Sequence, residues 1–291
     1  MIRIVIIGKG FPDWEAALFA GAPVWANLNN VREVIHLASA ALWPGVSAAA
    51  PEDRTVVIPL MEQDVLACIR HTELKSLALV PSDHALMTLY DKARFAQHMR
   101  ELGLGEFHPE VYRHTHALKF PVALKRTNLC AGNGIARVDN LAQFSALLAQ
   151  PQFAGETVLA TEWIEGSLEY VTHAVVLHGR IRWHQTFEYG LEPGQLVRRG
   201  SAGRHVRAMT IPVDALRVFE ALFLPLNYSG ICNIDFKLTT ERRLKIFEIN
   251  PRLGGSLLRS EHLRFLTRAF QILLDASLYP AKPWDRAVLA G

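Results

Sequence analysis

Apolar and polar positions follow two periods along this chain, and the changes between them predict its elements. Residues 2–7 form a continuous apolar run closed by Gly8-Lys9-Gly10, which suits a buried strand of a parallel sheet. Residues 34–37, 55–59 and 76–81 are further strand candidates. Between the last two, Leu60, Val65, Leu66 and Ile69 fall on one helical face. Strands alternating with helices predict a small α/β layer of roughly Rossmann type. Asp13 stands where a third glycine would complete a dinucleotide fingerprint, so the two glycines are expected to serve a tight turn. Ser82-Asp83 follows a strand, where such sheets bind ligands, but these residues equally cap a helix over 84–90, and the cap is the preferred reading.

Further along, residues 91–103 read as a capped helix with Phe95, Met99 and Leu102 on one side and Gly103 at its end. A strand from Phe120 carries Lys125 into the glycine-containing loop 128–134, and residues 135–138 return as a strand. Such a loop can close backbone N–H groups around phosphate oxygens, or can merely be a hairpin that needs glycine. Residues 139–150 form an amphipathic helix with Leu141, Phe144, Leu147 and Leu148 inward. Residues 158–164 are a strand leading into Glu165-Gly166. Residues 168–177 and 180–187 pair across His178-Gly179, a two-residue hairpin turn. His173, His178 and His184 lie along that hairpin and read as structural or exposed. A helix follows Pro212, with Val213, Leu216, Phe219, Leu222 and Phe223 on its apolar side. Another spans 261–278, before Pro280 and Pro283. Both are expected to cover a C-terminal sheet, and either could carry a homodimer contact.

The richest chemistry lies in residues 230–256. Asn233, Asp235 and Lys237 alternate with Cys232, Ile234, Phe236 and Leu238, so the two sets face opposite ways on a strand. A turn centred between Glu241 and Arg242 would set Asp235 opposite Glu248 and Asn233 opposite Asn250, side by side on one face. Asp235, Glu248 and Asn250 then offer oxygen ligands of the kind a hard cation such as Mg²⁺ prefers. A solvated strand end is the plainer reading, but a buried carboxylate without a partner is costly, and this stretch is mostly apolar.

A chain of 291 residues has room for two or three packed units. Its net charge of +3, with no long basic run, gives no footing for nucleic acid. No apolar run reaches transmembrane length, and the N-terminus reads as a strand and not as a signal peptide. Three cysteines supply no set of pairs, so the reducing cytoplasm is the expected compartment.

In this order, the pieces resemble the ATP-grasp superfamily, with most likeness to its carbamoyl-phosphate-synthetase and biotin-carboxylase-like branch. The motifs are Asp91-Lys92, Lys125 with Gly132 and Gly134, Glu162-Trp163-Ile164-Glu165-Gly166-Ser167-Leu168-Glu169, Asp235, and Glu248-Ile249-Asn250-Pro251-Arg252. The resemblance implies an α/β pre-ATP-grasp domain over residues 1–88 and an ATP-grasp domain over 89–291. A lid subdomain would span about 115–188 and a C-terminal subdomain about 189–291. It implies that Lys92 and Lys125 contact ATP phosphates, with the loop carrying Gly132 and Gly134 folding over them. Glu162, Trp163 and Ile164 would meet adenine, and Glu169 would bind ribose. Asp235, Glu248 and Asn250 would hold one or two Mg²⁺, and Arg252 would stabilise the transferred phosphoryl group. The loop is less glycine-rich than in many members and carries Leu129 and Cys130. Asn233 stands where some relatives place an arginine.

The implied activity is ATP-dependent ligation of a small carboxylic acid, such as an amino acid, to an amine through an acyl phosphate. A phosphotransferase or carbamoyl-phosphate-type activity on the same fold, and a non-catalytic nucleotide-binding module, are the rival readings. Four arginines among residues 198–207 could orient an anionic substrate or form a solvated basic loop; Arg204 is the residue singled out there.

Overall fold

In the computed structural model, described here for residues 1–46, 52–127, 134–192, 195 and 206–279, three sheets surround one cleft. The first is parallel, with order β2-β1-β3, built from β1 (Ile2–Ile7), β2 (Val31–Leu37) and β3 (Arg54–Pro59). Residues Ile4 to Ile7 are wholly buried, as expected for a run with helices and sheet packed on both faces. Between β1 and β2 the chain makes a 3-10 turn over Pro12–Trp14, then the short helices α1 (Glu15–Leu18) and α2 (Pro23–Ala26).

After β3 come α3 (Glu62–Arg70) and α4 (Thr72–Leu77). The expected strand over 76–81 does not form: Ser76 and Leu77 close α4, and Ala78 makes only a single bridge to Val57. Local bonds decide this. His71 Nδ1 accepts from the Leu74 amide, the Ser76 hydroxyl donates to the Glu73 carbonyl, and buried Leu74 anchors the turn. Pro81 then lacks the amide a ladder would need. Ser82 caps α5 (Asp83–Tyr90), and Asp91 caps α6 (Lys92–Glu101) by accepting from the amides of Ala93 and Arg94.

The second sheet has order β4-β7-β5-β6, from β4 (Val111–Tyr112), β5 (Val122–Arg126), β6 (Ile135–Val138) and β7 (Val158–Glu162). Helix α7 (Leu141–Leu148) closes its core through Phe144. Leu141, expected inward, is 53% exposed: Asn140 caps the helix, so Leu141 stands at its first position, short of the buried stripe.

The third sheet is antiparallel, with order β10-β9-β8-β11-β12. Its strands are β8 (Leu168–Leu177), β9 (Arg180–Gly190), β10 (Val206–Met209), β11 (Gly230–Leu238) and β12 (Leu244–Asn250). The β8–β9 turn is His178-Gly179, both left-handed, as that two-residue turn requires. One face packs on α5, α6 and α8 (Val213–Phe223) through Phe95, Phe219, Phe223, Cys232, Ile234 and Phe236. Val213, expected on the apolar side of α8, is 64% exposed because it opens the first turn, ahead of the packed Phe219–Phe223 stretch. The other face meets α9 (Leu263–Leu278), which also packs against β3 and α2, where Trp25 of α2 stacks on Phe270 at 5.1 Å.

The β11–β12 register sets Asp235 opposite Glu248 and Asn233 opposite Asn250. It then slips, pairing Phe236 with Ile246, so Phe247 is an extra residue on β12. That bulge matters for facing. Strict alternation would put Glu248 and Asn250 on the same side as Leu244 and Ile246, which lie in the core. The extra residue reverses the phase, sends Glu248 and Asn250 into the cleft, and leaves Phe247 there beside them.

Candidate functional site

The cleft face of the third sheet is a ladder of side-chain rows set by strand register. Glu169 on β8 and Lys237 on β11 form the first row; Val171, Asp235 and Glu248 the second; His173, Asn233 and Asn250 the third. Rows two residues apart on a strand are separated by about 7 Å. All of these residues line one cleft.

At the first row the cleft is bounded by β7. Trp163 lies near the cations of Arg137 and Lys237, at 5.5 and 5.7 Å from the ring centre. Lys237 is 3% exposed. Its Nζ donates to the carbonyls of Ile164 (3.3 Å) and Gly166 (3.0 Å) and stands 3.8 Å from Glu169. Burial lowers the Lys237 ammonium, and the Glu169 and Glu165 carboxylates oppose that shift. Glu162 turns its carboxylate to the Glu110 amide and to Lys245.

The second row gathers opposite charges. Lys92, at the start of α6, is 6% exposed and meets Glu248 with Nζ–Oε2 at 2.9 Å. Lys125, delivered by β5, sits 4.9 Å over the Phe247 ring. Burial pushes the Lys125 ammonium down to about 8, Glu248 pulls the other way, and Lys92 adds to the depression. Burial alone would raise the Glu248 carboxyl; the charge of Lys92, hydrogen bonds from Lys92 and Asn250, and the charge of Lys125 outweigh it and hold Glu248 below its ordinary value.

Asn250 links the second and third rows. Its Nδ2 reaches Asp235 Oδ2 at 3.0 Å, Glu248 Oε1 at 3.3 Å and Asn233 Oδ1 at 3.1 Å. The positive end of the amide thus stands between two carboxylates, where a cation would be favoured. Turned over, the same amide would present an oxygen beside theirs, giving a three-oxygen set that suits Mg²⁺. No group of three His, Cys, Asp or Glu capable of holding a metal occurs among the described residues, so the amide is needed to complete this set.

Arg252, just past β12, is 7% exposed. Its Nε donates to Glu62 Oε1 at 2.9 Å and its Nη1 to the Leu253 carbonyl at 2.7 Å. Glu62 belongs to α3, so the first sheet's layer fixes an arginine of the third. The 3-10 turn at Pro12–Trp14 contributes a further wall, where Asp13 and Trp14 line the cleft and the Trp14 indole packs against Gly255.

Ten of the expected residues therefore meet: Lys92, Lys125, Glu162, Trp163, Ile164, Glu169, Asp235, Glu248, Asn250 and Arg252. Gly134 is described but does not line the cleft; it has a positive φ at the entry to β6, and its carbonyl accepts from the Arg126 amide. Gly132, Arg204 and the loop residues Leu129 and Cys130 lie outside the described residues. Glu62, Phe247, Ser256 and the Phe11–Trp14 wall were not singled out from sequence; Lys237 was placed on the polar face without a role, and His173, read as structural or exposed, is wholly buried and lines the cleft. Parity along β8 was available for His173, two positions on from Val171 and four from Glu169. No local pattern marks the others' place in the cleft, Lys237 apart, which shares the parity of Asp235.

No protein-family profile matches the sequence, and no curated protein matches it. Solved structures do match in fold. The D-alanine–D-alanine ligase of Bacillus anthracis in complex with ATP superposes with a TM-score of 0.61 over 96% of this chain and 97% of that one, at 14% identity. Phosphoribosylamine–glycine ligase of Thermotoga maritima gives 0.68 over 97% and 76%, at 17% identity. Biotin carboxylase of Campylobacter jejuni, as its β-γ-ATP complex, gives 0.62 over 97% and 72%, at 14% identity. These are ATP-grasp ligases, and the fold of this chain is the ATP-grasp fold. No helix among the described residues is long and apolar enough to cross a membrane.

Proposed function

We propose that the protein is an ATP-dependent, ADP-forming ligase that joins a small carboxylic acid, such as an amino acid, to an amine through an acyl phosphate. The observation that carries this reading is the second row: buried Lys92 pairs with Glu248, buried Lys125 acts on the same carboxylate through space, and a three-oxygen set lies beside them, within a fold shared with ligases crystallised with ATP. In this reading Lys92 and Lys125 receive the triphosphate, Glu162 to Ile164 face adenine, and Glu169 meets ribose. Asp235, Glu248 and Asn250 hold Mg²⁺, which when bound offsets phosphate charge as a Lewis acid.

The substrate carboxylate attacks the γ-phosphorus, and ADP leaves with the electron pair of the broken P–O bond. The amine then attacks the acyl carbon, and phosphate leaves. Arg252, held by its bond to Glu62, offers a planar cation to the acyl phosphate. No side-chain nucleophile is needed, because the first step is one of positioning and electrostatic stabilisation.

The test is ADP release with Mg²⁺-ATP against pools of amino acids, small acids and amines. Release that requires one acid and one amine, and vanishes in Glu248→Gln, is the expected result. ATP turnover that survives Glu248→Gln would overturn the metal assignment. A phosphorylated product that persists in the presence of amines would favour a phosphotransferase instead.

A further inference from the structure

Beyond the second row, the cleft holds a polar pair that the roles above leave unused. His173 is wholly buried, Ser256 is 4% exposed, and His173 Nε2 lies 2.5 Å from Ser256 Oγ. Both line the cleft. Their positions are held from several sides. His262 Nδ1 bonds the Ser256 carbonyl at 2.6 Å. The Phe187 ring meets His173 edge-on at 5.7 Å and stacks on His262 at 4.1 Å. Gly254 packs so closely that a Cβ there would stand 2.4 Å from His173 Cε1 and 2.9 Å from Asn233 Nδ2, so the backbone itself clamps the imidazole.

Register fixes where the pair stands. His173 is opposite Asn233 and one row, about 7 Å, beyond Asp235 and Glu248, on the side away from Trp163 and Glu169. That is the side where atoms beyond a γ-phosphate would extend. The charged side chains at that end of the cleft are Asp13 and Arg252, and Arg252, bonded to Glu62, is a cation that suits an acyl phosphate and disfavours an ammonium. A nucleophile arriving there as an ammonium must give up a proton before its lone pair can attack, and an imidazole behind a hydroxyl is a suitable acceptor.

We propose that Ser256 and His173 take the proton of the incoming amine in the second half of the reaction, an assignment that rests on the ligase reading above. An N–H proton of the ammonium passes to Ser256 Oγ as the hydroxyl proton moves to His173 Nε2. The freed lone pair forms the C–N bond at the acyl carbon. The carbon–oxygen bond to phosphate breaks, and its electron pair leaves on the phosphate. The second amine proton ends on that phosphate, and the imidazolium returns its proton to solvent. Ser256 is the group that touches the nucleophile; His173 acts through it as a positioning and proton-accepting partner.

The experiment compares two acceptors in wild type, Ser256→Ala and His173→Gln, with the acid identified by ADP release. One acceptor is the basic amine that supports wild-type turnover. The other is hydroxylamine, which is largely unprotonated at neutral pH and needs no such acceptor. Amide formation should fall about 100-fold in both variants, within the range general-base removal gives, while hydroxamate formation falls less than tenfold. Equal losses with both acceptors, or no loss with either, would overturn the assignment. Thermal midpoint and ATP binding report folding; should His173→Gln fail to fold, Ser256→Ala, a one-atom truncation, decides alone. A wild-type protein silent with every acid, amine and hydroxylamine overturns the ligase reading itself, whereas an active wild type with an unchanged acceptor ratio in the variants overturns only the role of the pair.

Discussion

Arg252 and Glu62 form a buried ion pair, Nε to Oε1 at 2.9 Å, each 7% exposed, that ties α3 of the first layer to the end of β12 in the third. Removing one partner of such a pair leaves a charge that is neither solvated nor matched. Glu62→Leu is expected to lower stability by about 3–5 kcal/mol, with most of that recovered in the Glu62→Leu/Arg252→Met double variant. Urea unfolding of the three proteins measures it. ATP turnover should stay lost in the double variant, since the cation facing the cleft is gone. A single-variant cost below about 1 kcal/mol would show that the pair is solvated in solution.

Asp64, two residues on from Glu62, is raised from 3.8 to about 6, first by burial and then by the charge of Glu62, while its bond from the Met61 amide opposes the shift. It fits only because Gly8 has no side chain: a Cβ there would lie 1.9 Å from Asp64 Oδ2, and Gly8 also has φ +112°. Here the native state holds the proton more tightly than the unfolded chain. Stability should therefore fall as pH rises from about 4 to about 6 and stay lower above that. Asp64→Asn keeps an acceptor for the Met61 amide and cannot ionise. It should be more stable than wild type by about 1–2 kcal/mol at pH 7, after discounting for partial solvation, and equal to it below about pH 4. A wild type as stable as the variant at pH 7 would contradict this.

Glu248 faces Lys92 directly and Lys125 through space. Glu248→Gln keeps its shape and removes the charge that both lysines share. Turnover with Mg²⁺-ATP is expected to fall about 10²–10³-fold, the usual size for deleting one well-placed electrostatic contact. Titrating Mg²⁺ at fixed ATP should show the half-saturating metal concentration rising in the variant. An unchanged metal dependence would remove Glu248 from the ligand set.

Lys125 is held down to about 8 by burial. Below that pH it is a cation ready for phosphate; above it, the free enzyme loses that charge. The apparent affinity for ATP should therefore weaken above about pH 8, and Lys125→Met should be weak throughout with no such limb. The stability sign is the reverse. Charging a buried amine is unfavourable, so the ligand-free wild type should gain stability as pH rises from about 8 towards 10.5, a gain of a few kcal/mol at most, absent in Lys125→Met. Calorimetry of the ligand-free pair across that range is the check.

Much of this arrangement was legible in the chain because its determinants are local. Period-two alternation over residues 232–238 set Asn233, Asp235 and Lys237 against an apolar face, and the cleft face shows that split. The pairings Asp235–Glu248 and Asn233–Asn250 were expected from a turn centred between Glu241 and Arg242; the strand ends instead pair about Glu241, and the extra residue Phe247 restores those two pairings. The caps at Ser82 and Asp91 followed from short polar side chains ahead of helical patterns. The strand over 76–81 did not form, because an apolar run that short suits a helix end as well as a strand, and His71 and Ser76 settle it by bonds of their own.

The rest depends on contacts between residues far apart in the chain. The Phe247 bulge has no mark in the sequence, since one extra residue on β12 is defined only against β11. Glu62 reads as an ordinary residue of a helix's first turn until α3 meets the end of β12 and Arg252 takes it as a partner. His173 and Ser256 become a pair only when β8 and the turn after β12 come side by side. The sequence by itself determined most of the longer strands, the caps and the facing of Asn233, Asp235 and Lys237 along β11, because alternation and capping act over a few residues; the facing of Glu248 and Asn250 waited on the bulge. Tertiary structure alone decided which charges neutralise one another and which polar groups share the cleft, because burial and Coulomb interaction depend on distance in space and not along the chain.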